Sequence, residues 1–180
     1  LHNVCWGAEE VALFAALMLW MFFGTFRVSE LLGRKGVEGV RWGDVTWESK
    51  QVVVFLRQSK TDQRAAGKRV ILSKYPVHDF CSRWWGKRVW RARQREDGWV
   101  FQHKDGSRVM AYQLLSVLRK TLRVLGEEAE SYWTHLFQIG AATEAQGRGW
   151  GSEAIMELGR WSSGCFRTYV RDMERGECDK

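Results

Sequence analysis

The residues of this chain that could do chemistry are a few cations, a histidine, a tryptophan and a tyrosine. The sequence has no Gly-rich phosphate loop of the G-x-x-x-x-G-K-[ST] form, no H-E-x-x-H and no promisingly placed pair of carboxylates. Arg27 stands three residues before Glu30, a spacing at which a helix puts both side chains on one face. Lys60 lies in the polar stretch 57–67, whose Arg57, Lys60 and Arg64 could reach over a bound anion before the next strand begins at Lys68. His135, Trp161 and Tyr169 follow, with Tyr169 eight residues beyond Trp161. Guanidinium forks bind oxyanions, imidazole and indole N–H groups can donate to them, and a phenol can be a nucleophile. Taken singly, Arg27 could equally cap a helix, Lys60 would be an ordinary solvated lysine, and Trp161 would be a core residue.

The elements that must carry these groups can be read from composition and pattern. With 180 residues, 45% hydrophobic and 13% aromatic, the chain can bury the core of one ordinary domain. The net charge of +7 is concentrated: residues 51–123 hold 17 basic and 5 acidic side chains, while the flanking parts are slightly acidic. A basic middle favours a polyanionic partner, nucleic acid or an acidic membrane surface. Residues 11–26 are uncharged but fall short of the roughly 20 needed to cross a bilayer, so they read as a buried core helix. The four cysteines are far apart and show no C-x-x-C, which favours a reducing compartment and argues against a disulfide framework or a structural zinc site. The opening Leu-His-Asn suggests a piece of something longer.

Helix formers fill residues 8–24 up to Gly24, and a short helix over 28–32 should end at Gly33. Residues 40–46, 51–56 and 68–72 are rich in Val, Ile, Trp and Phe and predict a small three-stranded antiparallel sheet. Helices are expected over 78–95, 111–125, 134–147, 152–158 and 162–175, giving one mostly helical α+β domain across 1–180. Arg83, Lys87, Arg88 and Arg91 interleave with Trp84, Trp85 and Trp90; they could contact phosphates, or be a solvated face whose stems cover the core. His2, His78 and His103 read as surface or satisfied residues, and Tyr75, Tyr112 and Tyr132 as packing residues.

Taken together, Thr25-Phe26-Arg27-Val28-Ser29-Glu30-Leu31, Ser59-Lys60-Thr61, Thr134-His135-Leu136-Phe137, Leu158-Gly159-Arg160-Trp161-Ser162-Ser163 and Tyr169 closely resemble the catalytic domain of the tyrosine recombinases, the phage integrase family. The wording Gly159-Arg160-Trp161-Ser162-Ser163 and the Ser59–Gln63 hairpin look most like recombinases of eukaryotic DIRS-type retroelements.

The resemblance implies the DNA breaking-rejoining fold and site-specific recombination or integration of double-stranded DNA through a 3′-phosphotyrosyl intermediate. Arg27 would clamp the phosphate, Lys60 protonate the departing 5′ oxygen, His135 and Trp161 donate to the phosphate or assist proton transfer, Tyr169 attack, and Glu30 support the site. From charge alone, and not from the resemblance, Arg64, Lys68, Arg83, Lys87, Arg88 and Arg91 are candidates to bind DNA, those from Arg83 to Arg91 at positions that coincide with no family motif. No metal and no cofactor are implied, nor any membrane. Family members assemble into synaptic tetramers and usually carry an N-terminal core-binding domain, which these residues do not supply. A DIRS-type element would act in the nucleus, a prokaryotic one in the cytoplasm or nucleoid. One departure stands out: where the family's H-x-x-R places a second arginine, this chain has Gln138, which brings neither charge nor fork. Impaired catalysis is therefore expected, with a non-catalytic DNA-binding module and a type IB topoisomerase-like enzyme as alternatives.

Overall fold

Helix α1 (Gly7–Phe23) is apolar almost all round, and it is enclosed by the rest of the protein. It runs through the centre of the molecule, with Leu13, Leu17, Trp20 and Met21 essentially inaccessible to water. A computed structural model describes residues 1–57, 67–93 and 98–161. The loop residues Lys60 and Arg64, and Tyr169 with the helix expected over 162–175, lie outside the described residues.

After α1 come the short α2 (Val28–Leu32) and three strands, β1 (Val45–Trp47), β2 (Gln51–Leu56) and β3 (Lys68–Ser73). The strands form an antiparallel sheet in the order β1-β2-β3, with Val54 opposite Val45 on one side and Val70 on the other. Val52, Val54, Leu56 and Leu72 join the core around α1, whereas Phe55 and Ile71 face outward. Helices α3 (Ser82–Arg93), α4 (Ala111–Val124), α5 (Leu136–Gly147) and α6 (Ser152–Gly159) complete the described part. Both α3 and α5 pack along α1, and the Trp20 indole N–H donates to the Ser82 carbonyl at 3.0 Å, tying the start of α3 to the last turns of α1. The architecture is the expected α+β one. Among the described residues no helix is long and apolar enough to cross a membrane.

Two elements differ from expectation. The strand anticipated over 40–46 begins only at Val45, because Asp44 accepts the Arg41 backbone N–H at 3.0 Å and closes a 3₁₀ turn over Trp42–Asp44. Val40 and Arg41 pair instead with the segment around Trp99. The helix anticipated from residue 78 starts at Ser82, since a separate 3₁₀ turn, His78–Phe80, intervenes after Pro76. Tyr112, expected to pack, is 70% exposed on α4, while Tyr75 lies 5.6 Å from the Phe23 ring.

The junction from α1 to α2 carries the tightest turn near the candidate site. Gly24 ends α1, Thr25 turns the chain in the left-handed region at φ 48°, and Phe26 folds back into the core with no exposure. A Cβ on Gly24 would lie 2.2 Å from the Phe26 ring, so the turn closes only over a hydrogen. Gly24→Ala should therefore overpack the junction and cost about 1–3 kcal/mol in urea or thermal unfolding; unchanged stability would contradict this packing.

Candidate functional site

Arg27 is the first residue of the turn into α2, and its position is set by Glu30. The Glu30 carboxylate reaches back one helical turn, Oε2 accepting the Arg27 backbone N–H at 2.8 Å, the acidic half of a capping box. Its other oxygen, Oε1, accepts from Arg27 Nη1 at 3.0 Å. The carboxylate is buried, whereas the Arg27 side chain keeps 20% of its surface in water.

A third charged group completes this cluster, and it stands in the segment 158–163 directly before Trp161, the residue of that segment expected to act. Arg160 follows α6 in the left-handed region at φ 54°, and this turns its side chain back under the α1–α2 junction. Its Nη1 donates to the Gly24 carbonyl at 2.7 Å and to the Thr25 hydroxyl at 3.3 Å. Its Nη2 donates to the Thr25 carbonyl at 2.9 Å and to Glu30 Oε2 at 2.8 Å. The Thr25 hydroxyl in turn donates to the Leu158 carbonyl at 2.6 Å, and the guanidinium carbon sits 5.3 Å from the centre of the Phe26 ring. Burial pushes the Arg160 pKa down, and the Glu30 carboxylate opposes the shift.

Two guanidinium groups thus share one buried carboxylate, and the cluster carries a net positive charge. The Arg160 side chain is 4% exposed and that of Arg27 20%, so among the described residues of the cluster Arg27 is the more open route by which the unbalanced charge meets a ligand. That arrangement suits an oxyanion, which a guanidinium fork binds through two parallel hydrogen bonds.

His135, the residue capping the start of α5, is exposed and close enough to Arg27 to feel its charge. Partial burial, and then the Arg27 charge, hold its pKa below the ordinary value of 6.5, so the imidazole is neutral at pH 7. Gln138, one turn further on, is 1% exposed and donates through Nε2 to the Thr25 carbonyl at 2.9 Å. Trp161 is buried against Ala142, Ala145 and Ile155 of α5 and α6. The structure therefore brings together Arg27, Glu30, His135 and Gln138, with Arg160 added.

The expected DNA-binding cations are more dispersed. Lys68 opens β3 and, with Arg69, lines a cleft of about 310 Å³ that Arg160, Glu157 and Trp150 also line. The Arg83 Nε–H donates to the Glu48 carbonyl at 3.0 Å, linking α3 to the end of β1. Arg88 lies over the rings of Trp84 and Trp85, and with Arg91 it borders Ala8 and Ala12 at the opposite end of α1 from Arg27. At 1.5 Å of rise per residue, that is on the order of 20 Å from the site. Lys87 is half-buried on α3.

The family model described as the Phage integrase family matches residues 7–173. Among curated proteins none is significantly similar in sequence. The fold is similar to that of the XerH site-specific recombinase bound to palindromic difH substrate in a post-cleavage complex, with TM-score 0.70, 16% identity and coverage of 94% of this chain and 45% of that one. For the XerH pre-cleavage complex with difH the values are 0.67, 17%, 94% and 46%. The Tn1549 transposon integrase in complex with transposon right end DNA gives 0.60, 14%, 94% and 58%. The chain spans less than half the length of the XerH chains.

The His135 shift has a consequence for stability. A folded-state pKa below 6.5 means that the unfolded chain protonates first as pH falls, so this contribution is whole above pH 6.5 and is lost below it, down through the folded pKa. His135→Gln should make the unfolding midpoint less sensitive to a change from pH 7.5 to 5.5 than the parent's; an identical pH dependence would show that His135 is not held neutral by Arg27 and its surroundings.

Proposed function

This chain belongs to the phage integrase family, and from that membership we propose that it binds duplex DNA and breaks and rejoins strands through a 3′-phosphotyrosyl bond to Tyr169, at a rate limited by Gln138. The observation that carries the reading is the net positive charge of the Arg27–Glu30–Arg160 cluster, presented to solvent through Arg27 alone among the three. In the reaction, the Tyr169 phenolic oxygen gives up its proton, with neutral His135 as the candidate acceptor, and forms a bond to the scissile phosphorus as the bond to the 5′ oxygen breaks. Lys60 supplies the proton that the 5′ oxygen needs. Attack by a 5′ hydroxyl on the phosphotyrosyl bond reverses the sequence, with bond energy conserved throughout.

Negative charge gathers on the non-bridging oxygens as the phosphorus becomes five-coordinate, and a fixed guanidinium aimed there stabilises the transition state more than the ground state. Arg27 fills that role. His135, neutral at pH 7, can donate to the same oxygens or relay a proton. Gln138 cannot add a second charge, and loss of one preorganised donor of this kind costs on the order of 10²- to 10³-fold in rate. Because Gln138 is buried and its amide is committed to the Thr25 carbonyl, a second reading has support too: a DNA-binding module without cleavage activity. Membership of the family extends the proposal to assembly of a synaptic tetramer on DNA, and the resemblance of residues 159–163 and 59–63 to DIRS-type elements extends it to action in the nucleus.

On a pool of nicked duplexes at low salt, the parent should trap a covalent protein–DNA adduct. Tyr169→Phe should abolish the adduct while leaving duplex binding intact, and Arg27→Ala should slow adduct formation by about 10²- to 10³-fold. Duplex binding without any adduct would favour the non-catalytic module, and an adduct surviving Tyr169→Phe would overturn the assignment of the nucleophile.

A further inference from the structure

Gln138 and Arg160 belong to different elements, yet their side chains meet at one atom. The Gln138 amide donates to the Thr25 carbonyl at 2.9 Å, and Arg160 Nη2 donates to that same oxygen at 2.9 Å. A carbonyl oxygen has two lone pairs, and both are taken. Both side chains are shut away from water, Gln138 at 1% and Arg160 at 6% exposure. The carboxylate at this locus, Glu30, is already divided between Arg160 and Arg27.

We infer that the space beneath the Gly24–Thr25 turn is a berth for one guanidinium, that Arg160 fills it, and that Arg160 thereby requires an uncharged residue at position 138 while holding Arg27 in place through Glu30. Arg160 is a positioning residue: it touches the turn and Glu30, and reaches a ligand only through Arg27. Gln138 is its neutral counterpart, supplying one N–H to the Thr25 oxygen without adding charge. An arginine at 138 in the presence of Arg160 would place a third guanidinium around one buried carboxylate and compete for a carbonyl whose lone pairs are spent. A buried charge without a partner is strongly unfavourable. The substitution at 138 is therefore coupled to 160, and changing 138 alone cannot restore a second arginine to the site. Moving the guanidinium from 160 to 138 keeps the net charge and the number of forks, so the two positions should be exchangeable only together.

The stability part of this inference stands on geometry alone, whereas its DNA-binding part rests on the function proposed above. The test compares the parent with Gln138→Arg, Arg160→Gln and the double exchange, using unfolding midpoints, affinity for a duplex pool at low salt, and covalent adduct formation on nicked duplexes with and without Tyr169→Phe. Each single variant should lower the midpoint by about 5 °C or more, and the exchange should recover at least half of the summed loss. Should Arg160→Gln not fold, Arg160→Lys takes its place: it keeps the charge but not the fork, so it should fold with a lowered midpoint and should not relieve Gln138→Arg. Arg160→Gln should weaken duplex binding several-fold in the parent but no further once Arg27 is alanine, because its effect passes through Arg27. A Gln138→Arg protein as stable as the parent, additive losses in the exchange, or full additivity with Arg27→Ala would overturn the inference. If the exchange recovers stability while no variant forms a Tyr169-dependent adduct, the cleavage reading fails and the Arg160 assignment is supported.

Discussion

Glu30 is a single buried carboxylate with two cations on it, and the site is arranged around that imbalance. One of its oxygens serves both the Arg27 backbone and Arg160, and the other serves the Arg27 guanidinium. Desolvating an anion costs several kcal/mol, so this group persists only because its lone pairs are filled by well-placed donors. In return it fixes the start of α2 against the end of α6, two segments 130 residues apart in sequence. Among the described residues of the cluster, no second carboxylate balances the positive charge left over. It is directed outward through Arg27, where an oxyanion can complete the balance, and an arginine already held in place loses little entropy in binding one.

The backbone bends to make this possible. Thr25 and Arg160 are the two non-glycine residues with positive φ among the described residues, and they face each other across the cluster. Each such conformation costs of order 1–3 kcal/mol and persists only where the surroundings over-determine it. At this junction the surroundings are specific: the Thr25 carbonyl takes two donors, its hydroxyl bonds the Leu158 carbonyl, and Arg160 spans Gly24, Thr25 and Glu30. The strain of one turn is thus supported by the residue that is strained in the other. The apolar Phe26 ring, 5.3 Å from the guanidinium carbon and fully buried, helps keep water from competing for these bonds.

Much of this architecture is legible in the sequence, for physical reasons that also mark where legibility ends. The apolar run of α1 and its stop at Gly24, the short helix ending at Gly33, and the Val- and Ile-rich runs of β2 and β3 between polar breaks are local signals, and these elements lie where the pattern places them. The start of β1 is not legible in this way, because a single side chain, Asp44, diverts the backbone into a turn. The proximity of Arg27 and Glu30 follows from helix geometry, and Gln138 stands out as a departure from a motif. Arg160 is in plain view beside Trp161, but a left-handed arginine has no sequence signature, and its partners lie 130 or more residues away. The Trp-rich basic helix α3 gives a strong compositional signal, yet Arg88 and Arg91 fall at the far end of α1, because a helix packed antiparallel carries its cations away from the site.

The dependence of the site on Glu30 can be measured directly by unfolding Glu30→Gln beside Glu144→Gln, which breaks an exposed pair with Arg148. Removing the buried anion leaves two guanidinium groups facing each other, and should cost about 3–5 kcal/mol. The exposed pair should cost no more than about 1 kcal/mol. Equal and small losses in the two variants would contradict the central place of the shared carboxylate.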